Sequence, residues 1–106
     1  MELRSAVRYA ISASVVFTWQ GPRGPLQGGG VTRDISTAGL YIRTPASPPI
    51  AVAVQVEIFL PSIEPEGKPV KILSEGRVIR VEKSSANEAP RGFAAVTEGS
   101  SIVRRK

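Results

Sequence analysis

Residues 52–60 read VAVQVEIFL. Val52, Val54, Val56, Ile58 and Leu60 recur at every second position, with Gln55 and Glu57 between them. On an extended chain, side chains two apart share a face, so this spacing predicts a β-strand with one apolar and one wet side. Half-buried strands of this kind are typical of antiparallel sheets. The rest of the chain follows the same grammar. Residues 14–19, SVVFTW, are rich in β-branched and aromatic side chains and run into GPRGPLQGGG at 21–30, which predicts a turn between strands. Residues 30–35 and 40–44 predict two short strands joined by a turn from Ser36 to Gly39, and PASPP at 45–49 breaks the chain again. After the loop PSIEPEGKP at 61–69, residues 70–82 predict a long strand or a hairpin arm, with a bulge at Gly76, where the alternation slips. SSANEAP at 84–90 is a further turn, and residues 92–97 predict the last strand.

About six short strands, with no helix longer than a turn or two, need a closed or nearly closed sheet to hide their edges. The expected fold is therefore all-β: a six-stranded antiparallel small β-barrel. One domain spans 1–106, divided into a flexible N-terminal arm (1–11), a barrel (12–98) and a tail (99–106). The tail, ending in SSIVRRK, predicts either a short C-terminal helix or a frayed end. At 106 residues and 42% hydrophobic, the chain can bury one modest core and no second domain.

Composition narrows the function. Fourteen Lys and Arg against nine Asp and Glu give a net charge of +5, which favours an anionic partner. There is no cysteine and no histidine, which removes thiol chemistry and makes metal centres and imidazole acid–base catalysis hard to build. The acids are scattered rather than clustered, so neither an enzyme nor a metal or cofactor is expected. No apolar run approaches the ~20 residues of a membrane helix. AISASVVFTW at 10–19, behind Arg4 and Arg8, has the basic start and apolar middle of a signal peptide, but no small-residue cleavage site follows. A cytoplasmic protein is expected.

Two short motifs carry chemistry. In RDISTAGLYI (33–42), Asp34 and Ser36 lie two apart and so share a face. Gly39 suits a position of positive φ or of close backbone approach. A carboxylate and a hydroxyl then sit together on one rim, beside exposed N–H groups. The same residues can equally be an ordinary Asx or Ser turn, capping their own backbone. In RSAVR (4–8), the spacing of four brings Arg4 and Arg8 to one face. Arginine donates bidentately to the O6/N7 edge of guanine and binds phosphate as a planar fork. A carboxylate accepts from guanine's N1–H and N2 donors on the opposite edge. Together these parts match a cyclic guanine dinucleotide.

R4-S-A-V-R8 followed by D34-I-S-T-A-G39 resembles the RxxxR and [D/N]xSxxG signatures of the PilZ domain, the bacterial receptor module for cyclic di-GMP. Gly76 and Val78 in one strand, and Gly92-Phe93 in another, match weaker features of that family. The resemblance runs over roughly residues 3–98. It implies that Arg4 and Arg8 grip guanine and phosphate from a mobile arm, that Asp34 reads a guanine edge and that Ser36 contacts phosphate or ribose. Gly39 would permit the turn and the close approach. Many family members carry another arginine just before RxxxR, whereas this chain has Leu3, which can neither stack on a base nor pair with phosphate. One cyclic di-GMP per domain is therefore expected, rather than a stacked ligand pair. With the first motif just after Met1, a stand-alone receptor is expected, one that changes arm conformation and engages a protein effector whose identity the sequence does not give.

Two other readings use the same residues. A ligand-blind PilZ-like adaptor would bind only proteins, with Leu26 and the basic tail available to partners. A small-barrel binder of single-stranded nucleic acid would need aromatic platforms. Here Phe17, Trp19, Phe59 and Phe93 read as core, leaving only Tyr9 and Tyr41 as candidates. Nucleic acid is accordingly not the expected partner.

Overall fold

A computed structural model of the chain describes residues 8–60, 70–83 and 90–104. These form six strands: β1 (Ser14–Gly21), β2 (Gly24–Ile35), β3 (Gly39–Arg43), β4 (Ala53–Leu60), β5 (Val70–Lys83) and β6 (Pro90–Arg104). All neighbours are antiparallel, and the sheet closes in the order β1-β2-β3-β6-β5-β4. The described residues contain no helix, and none long and apolar enough to cross a membrane.

The core follows directly from the alternation. Val54, Val56 and Ile58 of β4 are buried while Gln55 is exposed. Val15 and Phe17 of β1 face them, and Phe17 meets Phe93 of β6 edge-to-face, with ring centroids 5.0 Å apart. Both phenyl rings and Ile42 of β3 are fully buried. Trp19, partly buried, stacks on Phe17 at 5.7 Å.

Four expectations are corrected. First, most of GPRGPLQGGG is strand: only Pro22 and Arg23 turn, and β2 pairs with β1 from Gly24↔Gly21 to Val31↔Ser14. Backbone pairing needs no particular side chain. Pro25 is tolerated because β2 pairs with β3 only from Val31 onward, so its other edge is open at that end. Second, the tail is neither helix nor frayed as far as Arg104, because β6 continues along β5 to the pair Val70↔Arg104. Residues 105–106 lie outside the described residues. Third, Phe59 is not core. It shares the outer face of β4 with Gln55 and Glu57 and is 40% exposed. Fourth, register does slip at Gly76, but the extra residue is Glu98 on β6, and β5 has its own bulge at Ile79.

Candidate functional site

The site begins with a bulge and a turn. β2 and β3 pair as Thr32↔Ile42, then as Asp34↔Tyr41 and Ile35↔Leu40, leaving Arg33 as an extra, unpaired residue. Beyond Ile35 the chain reverses. Ser36 N–H donates to the Gly39 carbonyl at 2.8 Å, and Ser36 Oγ accepts from the N–H groups of Ala38 and Gly39 at 3.1 and 3.2 Å. The same hydroxyl lies 3.2 Å from the Gly39 carbonyl, to which it donates. A hydroxyl has one proton and two lone pairs, so all of its capacity is spent inside the turn. Gly39 is needed for close approach, not for positive φ: a Cβ there would collide with the Ala95 carbonyl on β6.

The N-terminal segment meets this turn. Tyr9 and Ile35 exchange both backbone hydrogen bonds, each 2.9 Å long. Further along, Thr32 is buried, its N–H donates to the Ala13 carbonyl, and its hydroxyl accepts from Ala13 N–H at 2.8 Å while donating to the Ile11 carbonyl. Residues 9–13, of which 9–11 belong to the expected flexible arm and 12–13 to the expected barrel, are therefore hydrogen-bonded to β2. That fastening leaves Arg8, itself exposed, at the edge of the turn.

A concavity of ≈ 470 Å³ opens here. Arg8, Asp34, Ser36 and Gly39 all line it, so four of the five residues singled out by sequence converge on one surface. Arg4, the fifth, and Leu3 lie outside the described residues. The sequence spacing does not single out Arg33, Ile79 or Arg80. All three line the same concavity. The signal for Arg33 is the bulge, which no alternation rule locates when only one residue separates two otherwise regular strands.

Arg33 Nε donates to Asp34 Oδ2 at 3.0 Å, and its guanidinium carbon sits 3.9 Å from the centroid of the Tyr41 ring. Tyr41 is only 4% exposed and its face is covered, so it is no free stacking platform. Its hydroxyl donates to Glu82 Oε1 at 2.7 Å, and Glu82 in turn lies 3.5 Å from Arg80. Burial, followed by the bond to Glu82, pushes the Tyr41 phenol above its ordinary range. The same bond holds the Glu82 carboxyl below the usual carboxylate range. A polar chain thus runs from β5 through Tyr41 to Asp34, with Arg8, Arg33 and Arg80 making the concavity cationic around a single half-buried carboxylate.

Comparison with known proteins agrees with this architecture. The family model described as PilZ domain matches residues 2–102. Among solved structures, the chain resembles the Bacillus subtilis inhibitor of motility (MotI/DgrA) with a TM-score of 0.68 at 19% identity. The match covers 93% of this chain and 44% of that one, so the chain spans less than half the length of its structural neighbour. At this identity the likeness carries the fold alone. No curated protein matches the chain.

Proposed function

The chain belongs to the PilZ domain family, a family of cyclic di-GMP receptor type, and from that membership we propose that it binds cyclic di-GMP in the concavity beside the β2–β3 turn. The observation that carries the reading is the meeting of Arg8, Asp34 and the Ser36–Gly39 turn on one surface of ≈ 470 Å³. That volume lies within the roughly 300–1,000 Å³ usual for small-molecule sites. Asp34 accepts from the N1–H and N2 groups of one guanine. Arg8, joined by Arg4 from the same motif, grips phosphate and the opposite guanine edge. Ser36 contributes by shaping the turn, since its hydroxyl is already saturated there.

Because residues 9–13 are already bonded to β2, closing Arg8 on the ligand orders few residues, each costing about 1–2 kcal/mol of backbone entropy. Charge-assisted contacts of about 1.5–3 kcal/mol apiece offset that cost. The expected affinity is on the order of micromolar, near −8 kcal/mol. Leu3 leaves no arginine for a second stacked ligand, so one ligand binds per chain. The ligand-bound surface then meets a protein effector, the domain acting as receptor and adaptor. Isothermal titration of the chain with cyclic di-GMP tests the reading. Saturation near one ligand per chain supports it, saturation at two contradicts the role given to Leu3, and no binding makes the chain a ligand-blind adaptor.

A further inference from the structure

Two β-bulges face the same concavity, and each presents its extra residue to it. The first is Arg33 in β2, between the pairs Thr32↔Ile42 and Asp34↔Tyr41. The second is Ile79 in β5, between Val78↔Ala95 and Arg80↔Ala94. In a regular strand Arg80 would follow Val78 into the core. The bulge instead turns Ile79 and Arg80 outward together, and both line the concavity.

The two extra residues have complementary chemistry. Arg33 is held on two sides: its guanidinium carbon lies 3.9 Å over the centre of the Tyr41 ring, and its Nε is bonded to Asp34 at 3.0 Å. The side chain is still 37% exposed and lines the concavity, which leaves room for a planar group against it. Guanidinium planes stack on aromatic faces, and bases stack on arginine as they do on aromatic rings. Ile79 is 52% exposed, an apolar side chain set among Arg8, Arg33 and Arg80 where phosphate alone would have no use for it.

We propose that Arg33 and Ile79 hold the flat face of a purine base, Arg33 by guanidinium stacking and Ile79 by apolar contact, leaving Asp34 to read the edge of that base. This assignment rests on the reading that cyclic di-GMP occupies the concavity. It distinguishes Arg33 from Arg8: Arg33 acts through its plane and Arg8 through its charge. Lysine at position 33 keeps the charge and loses the plane, so the exchange is not conservative there.

The test is calorimetric titration of cyclic di-GMP into the full chain as wild type, Arg33→Lys, Arg33→Ala and Ile79→Ser. Ile50→Ser, at an isoleucine 59% exposed outside the concavity, serves as the control. Circular dichroism melting confirms that each variant folds. Both Arg33 variants are expected to lose roughly 5- to 150-fold in affinity, the range of one base stack. Ile79→Ser is expected to lose several-fold, and Ile50→Ser to bind like wild type. Arg33→Lys should keep the salt dependence of wild-type binding while losing affinity, a split that a purely electrostatic role would not produce. If wild type binds and Arg33→Lys and Ile79→Ser bind equally well, the assignment fails while the cyclic di-GMP reading stands. A normal Ile79→Ser alone removes Ile79 from it. If wild type does not bind at all, the reading beneath the assignment has failed.

Discussion

Tyr9 and Ile35 face each other as an isolated antiparallel bridge, exchanging two backbone hydrogen bonds of 2.9 Å. Twenty-six positions apart in sequence, they join the arginine motif to the DxSxxG turn through main-chain bonds alone. Arg8, next to Tyr9, and Asp34, next to Ile35, thereby line the same concavity.

Arg8→Ala removes a cation from the rim without touching the bridge, whose bonds are all backbone. It should weaken cyclic di-GMP binding about tenfold or more, the worth of one good bidentate contact, and leave the melting temperature nearly unchanged. Calorimetry and thermal melting on the same variant check both halves.

Ser36→Ala acts differently, because this hydroxyl serves the Ala38 and Gly39 amides rather than solvent. Loss of the cap should cost about 1 kcal/mol and speed hydrogen exchange at those two amides before any global unfolding. Exchange rates identical to wild type would show that the turn holds its shape without the hydroxyl.

Gly39→Ala drives a Cβ against the Ala95 carbonyl and the Val96 Cα, backbone atoms that cannot swing away. The β3–β6 seam must open to accept it, at about 1–3 kcal/mol by analogy with overpacked cores. Denaturant unfolding should show that loss, and ligand affinity should fall with it because the same seam forms the floor of the concavity.

The Tyr41–Glu82 bond gives stability a dependence on pH with two limbs. The Tyr41 phenol is raised in the fold, so its contribution is complete below the ordinary phenol value of about 10 and is lost as pH climbs through the raised value. The Glu82 carboxyl is lowered, so its contribution is complete above the ordinary value of about 4.3 and is lost as pH falls through the lowered one. Tyr41→Phe should flatten both limbs in melting curves taken across acid and alkaline pH. Limbs that persist in Tyr41→Phe would assign the titration to other groups.

The parts of this molecule legible in its sequence are those where side chains obey a period. Val54, Val56 and Ile58 announce β4, and Val15 and Phe17 announce β1, because burial itself selects them. Gly24 to Gly30 and Glu98 to Ser101 escaped because their pairing is carried by main-chain groups under glycine, proline and serine, which display no apolar face. Phe59 was misplaced by its residue type although its position, two from Glu57, already put it outside. Asp34, Ser36, Gly39 and Arg8 were found through their spacing. Arg33 and Ile79 were not, because a bulge is set by how two strands register and leaves no mark in either strand alone.

The most direct test of the central claim is to titrate unlabelled cyclic di-GMP into the isotopically labelled chain and follow backbone amide NMR shifts. The largest shifts are expected on Arg8, Asp34, the Ser36–Gly39 turn and Ile79, saturating at one ligand per chain. Shifts centred instead on a second concavity around Gln55, Glu75 and Ser100, or no shifts at all, would contradict that claim.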